Sequence, residues 1–86
     1  MANLEGRYCH DILLSLMING RQKKTSLLRD ISKSSSMSKR ADELEKEGLI
    51  RIIPDNFDKN SKWVELTEKG RTVAEFILEI NKTLQN

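Results

Sequence analysis

Two short runs rich in aliphatic and β-branched residues, Leu49 to Pro54 and Lys62 to Thr67, each join directly onto a helical pattern. Residues of this kind fit a pleated, half-buried surface, so each run reads as a strand. In the second, Trp63 and Glu65 alternate with Val64 and Leu66, the period of two that gives a strand one inner and one outer face. The stretch between them, PDNFDKNS, is made of turn formers and forms a loop. These neighbours make a hairpin with a long tip, set between helices. A chain of 86 residues has room for one core. The expected fold is therefore mostly α with a small β-hairpin, in one domain spanning 1–86.

The helices follow from apolar spacing. Tyr8, Ile12, Leu13, Leu16 and Met17 form a stripe that Asn19-Gly20 terminates. The segment RQKKT is short and polar, either a loop or a brief edge strand. Thr25 or Ser26 can cap a second helix whose apolar face is Leu27, Leu28 and Ile31. After a turn at SKSS, a third helix is expected to begin at Ser34 or Ser35, with the hydroxyl accepting from the unpaired amides of the first turn. Met37, Ala41, Leu44 and Gly48 fall at spacings of four, three and four, which gives this helix one core-facing seam. The last helix, 68–84, starts behind Thr67 as its N-cap.

Charge locates the candidate binding face. Net charge is only +2, but residues 21 to 40 hold Arg21, Lys23, Lys24, Arg29, Lys33, Lys39 and Arg40 against Asp30 alone. That segment carries +6, so the rest of the chain carries −4. A field polarised in this way points to a polyanionic partner; a solvated lysine-rich face is the plainer alternative. The single cysteine, Cys9, excludes an internal disulfide and suits a reducing compartment. The N-terminus shows no signal-peptide pattern and no run is long and apolar enough to span a membrane, so a cytoplasmic domain is expected. With one histidine beside one cysteine and no glycine-rich phosphate loop, neither a metal site, nor a cofactor, nor catalysis is expected.

If the third helix enters a major groove, Ser35, Ser36 and Ser38 can reach phosphates or base edges without blocking close approach. Lys39 and Arg40 suit guanine or phosphate, and Lys24, Thr25, Lys33 and Ser34 complete the positive end of this unit. The acids from Asp42 to Glu47 would repel a phosphate backbone, which confines contact to the first two turns. On the loop, Lys59, Asn60 and Lys62 are the candidate contacts. Phe57 is expected to pack back on the hairpin rather than wedge into a minor groove. Trp63 is expected at the base of the hairpin or near a partner chain.

Helix, helix, turn, helix, strand, loop, strand, helix is the order of a winged helix-turn-helix. LEKEGLI at Leu44 to Ile50 and LTEKG at Leu66 to Gly70 resemble the winged-helix transcription regulators of the MarR, PadR and ArsR kind. The likeness extends over Tyr8 to Leu84, and small archaeal single-domain forms ending in a long helix are the most similar. The resemblance implies a recognition helix in the major groove and a wing on the backbone or minor groove. Two positions depart from the pattern. Lys33-Ser34 stands where a glycine is common, and Asn60 stands where a wing-tip arginine is common.

On the last helix, Val73, Phe76, Ile77, Ile80 and Leu84 share a face, and 73, 77, 80 and 84 follow the spacing of a helix–helix seam. The part beyond the compact body exposes apolar surface unless a second copy covers it. The expectation is a homodimer acting as a sequence-specific regulator on double-stranded DNA. The alternatives are a protein-interaction module and an architectural DNA binder. No residue pattern specifies an effector.

Overall fold

The computed structural model describes residues 7–85; Met1 to Gly6, part of the stretch read above for a signal peptide, lie outside it with Asn86. The elements are α1 (Arg7–Asn19), β1 (Gln22–Lys23), α2 (Lys24–Ile31), α3 (Met37–Lys46), β2 (Ile50–Pro54), β3 (Lys62–Leu66) and α4 (Glu68–Gln85). The hairpin gains a third strand. The short β1 adds to β3 antiparallel, with Gln22 opposite Val64 and Lys23 opposite Trp63, so the sheet order is β1-β3-β2. The segment RQKKT therefore contains a brief edge strand. In the wing itself Ile52 faces Val64 and Ile53 faces Trp63.

One aliphatic core holds the elements together. Ile12, Leu13 and Leu16 from α1 meet Leu27 and Leu28 from α2, Met37, Ala41 and Leu44 from α3, and Val64 from β3. Met37, Ala41 and Leu44 form the α3 seam that the spacing predicts, whereas Gly48, expected to continue it, lies past the helix end and is exposed. Ala41 is fully buried, where its small side chain lets neighbouring elements approach closely.

The two glycine-containing motifs at the helix–strand joints have specific physical uses. Gly48 takes φ +78°, in the left-handed region that residues with a Cβ rarely adopt. There Gly48 N–H donates to the Glu45 carbonyl at 2.9 Å and Leu49 N–H donates to the Leu44 carbonyl at 3.0 Å. This paired arrangement ends α3 and turns the chain into β2. Thr67 caps α4: its Oγ1 accepts from Gly70 N–H at 3.0 Å and donates to the Gly48 carbonyl at 2.6 Å. Gly70 is buried, and a Cβ there would overlap the Leu49 carbonyl oxygen. The motif around Gly70 thus closes α4 onto the end of α3.

Two caps differ from expectation. Helix α2 begins at Lys24, one residue before Thr25, and its N-cap Lys23 makes no side-chain cap bond. Lys23 sits in a strand, so the chain passes directly from sheet to helix with no position for a capping hydroxyl. Helix α3 begins at Met37 rather than at Ser34 or Ser35, and its N-cap Ser36 also makes no side-chain cap bond. The serines bond one another and the turn instead.

Candidate nucleic-acid interface

The turn before α3 is built from its own hydroxyls. Ser32 Oγ accepts from Ser34 N–H at 3.1 Å, and Ser34 Oγ accepts from Ser36 N–H at 3.3 Å. Ser34 Oγ and Ser36 Oγ lie 2.8 Å apart in a shared hydrogen bond. Local side-chain to backbone bonding of this kind competes with helix formation, which is why α3 starts late. It also fixes a turn in which the expected glycine is replaced by Lys33-Ser34, with no left-handed residue required.

Between this turn, α2 and the wing lies an open groove of about 700 Å³. Lys24, Thr25, Lys33, Ser34, Ser35 and Ser38 line it from the helical side, with Asn60 and Lys62 from the wing. Arg29 and Ser32 line it too and were not among the expected contacts; Arg29 belongs to the basic run that marked this region. No aspartate or glutamate lines the groove. Ser36, Lys39, Arg40 and Lys59 lie outside its lining.

The two cations of α3 differ in state. Lys39 is exposed and, among the described residues, enters no ion pair. Arg40 is half-buried, with its Nη1 3.3 Å from Glu43 Oε2. Lys24 is tied as well, with Nζ 3.6 Å from Asp42 Oδ1 and a side chain only 19% exposed. The acidic turns of α3 thus hold two cations that composition alone would count as free.

The wing loop is organised by two aspartates. Asp55 accepts from Phe57 N–H at 2.7 Å, from Trp63 Nε1–H at 2.9 Å and from Asp58 N–H at 3.3 Å. The Phe57 amide and the Trp63 indole hold its carboxyl below the ordinary carboxylate value. Asp58 accepts from Ser61 Oγ–H at 2.8 Å and Asn60 N–H at 3.0 Å, which lower its pKa likewise. Trp63 sits not at the base of the wing but near its loop end, opposite Ile53 and next to the last pair of the hairpin, Pro54 with Lys62. Arg21 and Lys23 lie 4.8 Å and 5.5 Å from its ring centroid. Phe57 does not pack back on the hairpin: it is 100% exposed. The inner face of the hairpin is already covered by the helical core through Val64 and Ile52. The loop that Asp55 ties to the Trp63 indole leaves Phe57 at the rim of a shallow hollow shared with Arg21, Asn56 and Trp63.

On α4 the expected seam splits. Ile77 is buried in its own chain and Val73 packs against the core, whereas Phe76, Ile80 and Leu84 are 66%, 57% and 79% exposed. The exposed set repeats every four residues. Cys9 is buried, and burial raises its thiol pKa. Among the described residues no cluster of His, Cys, Asp and Glu could hold a metal ion, and no helix is long and apolar enough to cross a membrane.

No family model and no curated protein matches the sequence. Solved structures do match the fold. A SlyA-like transcription regulator from Listeria monocytogenes superposes with a TM-score of 0.82 at 22% identity, covering 93% of this chain and 54% of that one. The fold is a winged helix-turn-helix. The PcaV transcriptional regulator from Streptomyces coelicolor gives 0.82 at 17% identity, covering 93% and 58%. A mutant of MarR from E. coli, complexed with operator DNA, gives 0.75 at 20% identity, covering 85% and 53%. The chain thus spans little more than half the length of these winged-helix regulators.

Proposed function

We propose that the chain binds double-stranded DNA as a homodimeric transcriptional regulator of the MarR kind, with α3 in the major groove and the wing on the adjacent backbone or minor groove. The groove shared by the α2–α3 turn and the wing carries this reading. It gathers Lys24, Arg29, Lys33 and Lys62 with five serines and threonines, and no acid, on one face of a winged helix. Phosphates are recognised by cations and short hydroxyls of this kind, and base edges by the residues that follow them into the groove. Two of the structural neighbours, MarR and AbfR, were solved bound to DNA.

In this reading Ser35 of the turn and Ser38 and Lys39 of α3 make the base contacts. Arg40 is held by Glu43 and contributes after that pair opens. Ser36 braces the turn, and Lys59 with Lys62 meets flanking phosphates. The exposed stripe Phe76, Ile80 and Leu84 is the part of α4 proposed to pair with a second copy. None of this chemistry makes or breaks a covalent bond, so the reading is of a binding protein rather than an enzyme.

Selection of bound duplexes from a random-sequence library, followed by footprinting, tests the reading. An inverted repeat with half-sites about one helical turn apart is the expected outcome. Enrichment of no sequence, with binding still tight, indicates architectural binding. No retained DNA at all indicates a protein-interaction module.

A further inference from the structure

Resting on that reading, we infer that Phe57 is an apolar wedge that enters the DNA minor groove at the wing tip and unstacks a base step there. The ring is fully exposed, yet its loop is firmly built. Asp55 N–H donates to the Ser61 carbonyl at 3.0 Å to close the loop, and the Asp55 carboxylate accepts from the amide of Phe57 itself. An aromatic ring held in water by a hydrogen-bonded loop is positioned before any partner arrives, so little ordering entropy is lost on insertion.

The surroundings select DNA as the occupant. Both loop carboxylates accept from backbone amides and side-chain donors of the loop and its flanking strand, while Lys59 in the same loop and Lys62 at its end remain exposed. Asn60 and Lys62 also line the acid-free groove that α3 and its turn share. The loop that bears Phe57 thus has its later part on the proposed DNA-facing groove, while the ring itself borders a separate hollow with Arg21, Asn56 and Trp63. Asn60 cannot supply a charged reader for the minor groove, and an apolar side chain inserted between base steps is the other way proteins engage it, kinking the duplex as it enters.

The test uses the full chain and a duplex selected from random sequence by the wild-type protein, with 2-aminopurine placed at successive steps flanking the α3 site. Wild type should raise the fluorescence at one flanking step, where stacking is lost. F57A should abolish that rise and weaken binding roughly tenfold, the scale of one aromatic–base contact, with an unchanged salt slope because no charge is removed. F57W should restore the signal. Full affinity and an unchanged fluorescence rise in F57A overturn the wedge while leaving the DNA-binding reading intact. F57A that binds DNA as wild type does but has lost self-association assigns the ring to a subunit contact and also overturns it. Absence of duplex binding by the wild type overturns both.

Discussion

A methyl group at Gly70 has nowhere to go. The added carbon would overlap the Leu49 carbonyl and press on Leu66 Cδ2, 3.1 Å away. Backbone cannot swing aside as a side chain can, so G70A should cost about 3 kcal/mol or more, the upper range for overpacking. T67A removes the α4 cap and its bond to Gly48, and should cost about 1 kcal/mol. Thermal unfolding measures both, and the larger loss should belong to G70A. The wing gives a pH prediction. Asp55 and Asp58 have depressed pKa values in the fold, so their contribution is present above the ordinary carboxylate range and is lost as pH falls through the folded values. Emission from Trp63, the single tryptophan, should hold constant through mild acid and shift only in stronger acid. In D55N the shifted emission should already be present at neutral pH.

At the scale of elements, α3 separates what the sequence shows from what it hides. Its seam of Met37, Ala41 and Leu44 was legible because burial follows spacing. The joints at Gly48 and Gly70 were legible as motifs, though only coordinates show that Gly70 admits the Leu49 backbone. The start of α3 was not legible: consecutive serines offer several competing bonds, and which hydroxyl meets which amide depends on a turn geometry set by tertiary packing. Nor was the capture of Arg40 by Glu43, since an i,i+3 pair and a free cation look alike in sequence. Phe57 was misplaced because hydrophobicity alone favours burial, while Asp55 fixes the loop against it. From these states, K39A should weaken specific binding more than R40A, because an exposed amine is available and a paired guanidinium is not. R40A should show more of its effect in stability, having left Glu43 half-buried without its partner. Anisotropy titrations alongside chemical denaturation distinguish the two, and equal binding losses with no loss of stability in R40A contradict this division.

For the whole molecule, the question is what covers Phe76, Ile80 and Leu84. Ile77 turned out to be needed by its own core, which narrows the proposed interface to one exposed stripe. Apolar area left in water costs about 25 cal/mol per Å², and a second copy laid along α4 removes that cost. I80K combined with L84K should therefore give a folded monomer by light scattering, with core residues Ala74 and Ile77 undisturbed. DNA affinity should fall sharply in the same protein, because one half-site is then bound alone. A wild type that is monomeric at micromolar concentration contradicts the pairing without touching the groove.

The central claim is that the groove between the α2–α3 turn and the wing grips DNA phosphates. Its most direct test is the salt dependence of duplex binding for the wild type and for K33A combined with K62A. Both lysines line the groove, and both are exposed. The wild-type affinity should fall steeply and linearly on a log–log scale, and the double variant should lose roughly 1.8 from the slope, about 0.9 for each phosphate contact removed. A wild-type affinity indifferent to salt, or a slope unchanged in the variant, would contradict the assignment of this groove to DNA.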